Sequence, residues 1–204
     1  MIETQHKILD TAERLFGEHG YAGTSLRQII AEAGVNLAAI HYHFGNKEEL
    51  LDRLVIRKAG PVNDERLARL DGLEREAGSS SVPLEKLLRA FLEPPLLQIK
   101  ENPELGKLMG RLYGEGLMPM IAERHFLNVK TRFIAAFGRA LPQLTEQEVA
   151  LRLQFMVGAM AHTMLFACRQ FPIDANLLVR ELVAFIVDGL RAPAVLGENT
   201  EANR

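Results

Sequence analysis

The sequence has little of what marks an exported, membrane-bound or catalytic chain. It holds one cysteine, Cys168, in 204 residues, so no disulfide can form within the chain, and a reducing compartment suits it. No stretch approaches the ~18 uninterrupted apolar residues that a membrane span needs. The opening MIETQHKILD has no apolar run after its charges, so no signal peptide is expected. Positive charge is not in excess: the formal net charge is −2, which excludes a global basic field and makes any nucleic-acid binding local. Period-two alternation is missing, which argues against strands. So are a glycine-rich phosphate loop, an HExxH pair and a nucleophile elbow, so neither an enzyme nor a cofactor is expected. A soluble, cytoplasmic protein with no membrane partner is the expectation, and 48% apolar residues suffice for a real core.

What is present is helical spacing of apolar residues almost throughout, hence an all-α fold. Ile8, Ala12, Leu15 and Phe16 form the stripe of a first helix over about 3–19, which Gly20 stops. Ser25 and Gln28 read as a capping box for a second helix through Ala33, with Leu26, Ile29 and Ile30 inward. Gly34 supplies the left-handed residue that ends it, and Asn36 caps a short third helix. Asn46 and Glu49 open a fourth, LLDRLVIRK, which Gly60-Pro61 is expected to break. That break divides the chain into an N-terminal unit, 1–59, and a larger helical unit, 60–193. GSSSV (78–82) reads as a polar connector. Helices are expected over about 83–100, 103–117, 121–141, 145–171 and 175–191, with Pro83, Pro103, Pro119, Pro142 and Pro172 as punctuation. The tail 194–204 lacks periodicity and is expected to be disordered.

The segment GVNLAAIHYHFGNKEEL, from Gly34 to Leu50, carries the functional signal. With Ile40 set inward, Leu37 and Phe44 fall within about 60° of it and make the buried side. Ala38, Ala39 and Tyr42 then point outward, flanked by His41 and His43. Small outward residues let a helix approach a partner closely, and tyrosine and histidine can donate hydrogen bonds to it. A helix, a short glycine-bearing turn and a second short helix with a polar outer face describe a helix-turn-helix. The second helix fits the major groove, where alanine meets thymine methyls and the polar rings reach base edges or phosphates. Lys47, at the start of the next helix, and Arg27, at the start of the helix before the turn, are the cations placed for phosphate. The other reading is a three-helix packing unit whose exposed face does nothing. A metal site is not expected, because rings two residues apart on a helix diverge by about 200°.

In the larger unit, Gly106, Gly110 and Gly114 recur every fourth residue, for close helix contact, a ligand wall or a hinge. Met109 lies among them. Phe126, Val129, Phe133 and Phe137, with Met156 and Met160 on the next helix, suit a core or an adaptable apolar pocket. His162 is either a core residue bonded to a carbonyl or a handle on a ligand. Arg111, Arg124 and Arg132 are either solvated charges or partners for an acidic ligand. Ala159, Thr163 and Ala167, with Leu178, Leu182, Phe185 and Leu190, look like a seam at which two helices from each of two subunits would pack.

From Ile8 to Leu54 the chain also resembles the DNA-binding domain of TetR-type transcriptional repressors. The likeness lies in Phe16, Gly20, Thr24, Ala31-x-x-Gly34-Val35, Phe44, Lys47 and Leu50. It implies a helix-turn-helix domain at 1–59, a ligand-binding and dimerisation domain at 60–193, and a homodimer on a palindromic double-stranded operator, released by a small ligand. In that family, contacts to DNA come from positions matching Thr24, Arg27, Ala38, Ala39, His41, Tyr42, His43 and Lys47. Tyrosines are the commoner residues where His41 and His43 stand. The phrase GVNLAAIHYHFGNK is similar to a subgroup that includes fatty-acid-responsive repressors. The expected effector is hydrophobic, neutral or acidic, held by Met109, Phe126, Phe133, Phe137, Met156, Met160 and His162. The competing reading is an all-helical small-molecule-binding or scaffold protein that does not touch DNA.

Overall fold

The computed structural model describes residues 2–170 and 174–194, and among these the regular structure is entirely helical. The order is α1 (Ile2–His19), α2 (Leu26–Ala33), α3 (Leu37–Phe44), α4 (Lys47–Ala77), α5 (Leu84–Glu101), α6 (Pro103–Gly114), α7 (Met118–His125), α8 (Leu127–Ala140), α9 (Glu146–Gln170) and α10 (Ala175–Arg191). The expected tail lies outside the described residues from 195 onward, as does residue 171.

Local signals set the first three helices. Gly20 takes φ 79° after α1. The Ser25–Gln28 box closes in both directions, with Ser25 N–H donating to Gln28 Oε1 at 2.7 Å and Gln28 N–H to Ser25 Oγ at 3.2 Å. Gly34 ends α2 at φ 64°, and Asn36 Oδ1 accepts Ala39 N–H at 2.8 Å. Each such cap satisfies an amide that has no intrahelical acceptor. α1 through the first turns of α4 then enclose one small core of Ile8, Ala12, Leu15, Phe16, Ile29, Ile40, Phe44, Leu50 and Leu54.

Two expectations about helix limits are corrected. Gly60-Pro61 does not break the fourth helix: α4 runs 31 residues from Lys47 through Pro61 to Ala77. A proline inside a helix forfeits one backbone bond and crowds the preceding turn, at about 3 kcal/mol. Here Ala59, Val62, Asn63, Arg66 and Leu70 are buried on both sides of the break point, and this packing holds the helix together. The residue before the proline is glycine, which has no Cβ to clash with the ring. The helix expected over 121–141 is two helices, parted at Phe126, whose φ of −127° and ψ of 23° leave the helical region. No glycine or proline marks that break in the sequence. It coincides with an ion pair from the end of α7 to α4, where Arg124 reaches Asp52 at 2.6 Å.

α1 packs on α6, and α6 packs on α9. Both contacts are close because glycines line them. A Cβ on Gly17 would meet Lys107 Cβ at 3.3 Å, and one on Gly110 would meet Leu165 Cβ at 2.6 Å. Close helix contact therefore accounts for Gly110, while a Cβ at Gly114 would meet nothing within 4 Å. α5 lies between α4 and α10, and α8 against α5 and α9. Arg152 on α9 ties down the end of α10 by donating to the carbonyls of Leu190 at 2.9 Å and Pro193 at 2.7 Å.

Candidate nucleic-acid interface and internal cavity

α3 presents its outer face to solvent. Ala38, His41 and Tyr42 are exposed, and Tyr42 is 75% accessible. His41 Nδ1 lies 2.8 Å from the Gly45 carbonyl. That carbonyl can only accept, so it selects the tautomer with the proton on Nδ1 and turns Nε2 outward. The Tyr42 and His43 rings meet edge to face at 5.0 Å. His43 and Ala39 are half-buried, and Ala39 packs against the core. Leu37, expected on the buried side, is instead 54% exposed. It occupies the first turn, where side chains lean toward the helix N-terminus and past the surface that α1 and α2 supply. The buried arc of α3 is Ala39, Ile40, His43 and Phe44.

The remaining candidates for DNA contact divide in two. Arg27 is exposed on α2. Thr24 is 2% exposed, and its hydroxyl is directed at the carbonyls of Gly20 at 2.8 Å and Leu15 at 3.1 Å. Its side chain pins the loop between α1 and α2. Lys47 is half-buried, with Nζ donating to the Tyr21 carbonyl and standing 4.1 Å over the Tyr21 ring. Burial lowers its pKa below the ordinary lysine value, opposed by the charge of Glu115.

Polar contacts from α6 and α7 connect this head to the rest of the molecule. At the end of α6, Glu115 accepts the amides of Tyr21 at 2.9 Å and Ala22 at 3.1 Å. On α7, Arg124 donates to Asp52 at 2.6 Å and Glu48 at 2.9 Å, and His125 Nε2 lies 3.2 Å from Asp52.

α6 and α7 also wall a cavity of about 940 Å³, within the size range of small-molecule sites. α4 contributes Val62, Asn63 and Arg66, α5 contributes Phe91 and Pro95, and α6 contributes Met109 and Tyr113. Phe126, Phe133 and Phe137 line it from the α7–α8 side, and Met156, Met160 and Met164 from α9. Six of the seven ligand candidates, Met109, Phe126, Phe133, Phe137, Met156 and Met160, are thus gathered around one space. His162 is not among its lining and stands exposed on α9. Arg111, Arg124 and Arg132 lie elsewhere: Arg111 donates to the Glu18 carbonyl at 3.4 Å, and Arg132 pairs with Asp71 and Glu74.

The polar feature of the cavity was missed in the sequence. Arg66, 8% exposed, donates from Nε to the Phe91 carbonyl at 2.8 Å and from Nη1 to Asn63 Oδ1 at 2.9 Å. Its guanidinium lies 3.9 Å over the Phe91 ring. The Phe91 carbonyl is open to it because the helical donor four residues on would be Pro95, which has no N–H. Burial pushes the Arg66 pKa down to about 10, still far above neutral, so it stays a cation. Burial raises the Tyr113 pKa, against the pull of Arg66, so that hydroxyl stays neutral. The signal that would have found Arg66 is a cation at helical spacing on the stripe Ala59, Val62, Asn63, Leu70.

The chain is thus a capped helix-turn-helix head joined by an ion-pair cluster to a helical bundle with a largely apolar cavity. The chain matches the family described as bacterial regulatory proteins, tetR family, over residues 8–54, and tetracyclin repressor-like, C-terminal domain, over residues 89–189. It belongs to the TetR family. It is similar to the probable HTH-type transcriptional regulator YttP of Bacillus subtilis, 43% identical over 54 residues, 26% of each chain. It is similar also to the HTH-type transcriptional repressor AcnR of Corynebacterium efficiens, 32% identical over 94 residues, 46% of this chain and 43% of that one. The chain thus spans less than half the length of these curated relatives. The solved structure of the fatty acid degradation regulator FadR from Bacillus halodurans superposes with a TM-score of 0.60 over 92% of this chain and 96% of that one. At 18% identity this likeness shows the fold alone. Among the described residues no helix is long and apolar enough to cross a membrane.

Proposed function

We propose that the chain is a ligand-responsive transcriptional repressor in the cytoplasm, not an enzyme, that binds a palindromic DNA operator as a homodimer. Residues 1–59 form the DNA-binding unit, and residues 60–193 the ligand-binding and dimerisation unit. α3 enters the major groove, with Ala38, His41 and Tyr42 against base edges or phosphates and Arg27 on the backbone. Lys47 reaches a phosphate by exchanging the Tyr21 carbonyl for it, and Ala39 and His43 set the depth of α3. Thr24 acts through the loop it pins. The subunits meet through α9 and α10, where Leu151, Phe155, Leu177 and Phe185 expose large apolar side chains.

The observation that carries the reading is that two of the helices walling the cavity, α6 and α7, also hold the head. A hydrophobic effector that displaces α6 or α7 shifts Glu115 and Arg124, and with them the loop after α1 and the start of α4. It must bind the DNA-incompetent state more tightly, since equal affinity for both states would shift nothing. Fatty acids are the first class to test, on the likeness of GVNLAAIHYHFGNK to fatty-acid-responsive members.

Selection of bound sequences from random duplex DNA by the purified protein tests the DNA-binding half. Enrichment of a palindrome is expected. No enrichment from the folded protein would favour an all-helical ligand-binding or scaffold protein.

A further inference from the structure

Among the described residues, Arg66 is a buried cation with no counterion. Of its five N–H groups, three are engaged, and all three acceptors are neutral: the Phe91 carbonyl, Asn63 Oδ1 and, at 3.5 Å, the weakly accepting Met160 Sδ. Among the described residues no carboxylate lies within ion-pairing distance of it. Its setting differs from that of Arg57, Arg69, Arg89, Arg124 and Arg132, which are each paired with Asp or Glu. The carboxylates next to it in sequence do not help: Asp64 is exposed and Glu65 pairs with Arg69. Burying an unpaired charge is strongly unfavourable, and here the fold holds it against the wall of a largely apolar cavity.

We infer that Arg66, flanked by Asn63 and Tyr113, is an anion anchor inside the cavity, and that the ligand is an apolar molecule bearing one free carboxylate. The inference rests on the reading of the cavity as the effector site. Two N–H groups of the guanidinium remain for a carboxylate, and Asn63 and Tyr113 bring further donors to the same wall. A single cation balances a single negative charge, which favours a monocarboxylate over a dianionic phosphate. The Phe and Met side chains around it receive the apolar body. Esters, amides and thioesters, which lack the charge, are poorer ligands for this site.

Isothermal titration calorimetry on the purified full-length protein tests this with two matched pairs: decanoate against decanamide, and 2-naphthoate against 2-naphthamide. At least one acid is expected to bind roughly 10- to 150-fold more tightly than its amide, the range of a hydrogen bond to a charged group. Arg66→Met, of similar length but uncharged, is expected to abolish that preference and leave amide binding within about threefold. Should Arg66→Met not fold, Arg66→Lys, which keeps the charge and loses the fork, is expected to fold and to reduce the preference about tenfold. Equal binding of acid and amide by the wild type, no binding of either, or a preference that survives Arg66 substitution would overturn the inference. Palindrome enrichment without acid binding removes the anchor and leaves the regulator. Acid binding without enrichment does the reverse.

Discussion

Glu115, at the end of α6, accepts the backbone N–H of Tyr21 at 2.9 Å across 94 positions of sequence. The same carboxylate takes the amide of Ala22, and a Cβ on Gly20 would collide with it. A single side chain on a cavity-walling helix therefore holds the loop that leads into the helix-turn-helix. Glu115→Ala is expected to lower the unfolding free energy by about 1 kcal/mol, the net worth of such bonds near solvent. It is also expected to blunt the effect of an effector on DNA affinity. Urea denaturation and fluorescence anisotropy on a selected operator measure the two, and an undiminished ligand response would remove Glu115 from the path.

Ala38→Glu is expected to abolish operator binding while circular dichroism stays unchanged, because it places a carboxylate against the groove on an exposed position. Tyr42→Phe is expected to weaken binding by roughly 0.5–1.5 kcal/mol per half-site, one hydrogen bond. Wild-type affinity in folded Ala38→Glu protein would mean that this face of α3 does not read DNA.

Phe185, 74% exposed on α10, is expected at the centre of the subunit contact. Phe185→Glu would bury a charge there and shift the protein to monomer, read by multi-angle light scattering. A wild-type monomer at micromolar concentration would contradict the arrangement.

Pro95 carries a trade-off. Pro95→Ala restores the missing N–H of α5, which would then compete with Arg66 for the Phe91 carbonyl. Stability is expected to rise, since an interior proline costs about 3 kcal/mol in a helix, while carboxylate affinity falls. Thermal unfolding and calorimetry should move in opposite directions. Unchanged affinity would show that Phe91 does not position the guanidinium.

The candidate DNA face was legible from residues 25 to 50 because the forces that shape it are local. Side-chain caps at Ser25, Asn36 and Asn46 and the left-handed Gly34 act within four residues of themselves, so the order of residues suffices to place α2, α3 and the start of α4. The roles of Thr24 and Lys47 were less legible. The Leu15 carbonyl, nine residues before Thr24, and the Tyr21 carbonyl and ring, 26 before Lys47, belong to chain that folds back onto them.

By itself the sequence determined the all-helical class, the capped head and the apolar set of phenylalanines and methionines, all of them consequences of short-range periodicity and capping. Only the tertiary structure decided the rest. Burial of Val62, Asn63 and Arg66 carried α4 through Pro61, against the local preference. Docking of Arg124 and His125 on Asp52 accompanied the break at Phe126, where no breaker residue stands. Above all, it set Arg66 in an apolar wall beside a carbonyl left open by a proline 29 positions further on. The physical reason is the same in each case. Whether a charge is buried, and whether it has a counterion, depends on which distant segments surround it, and spacing along one helix carries no record of that.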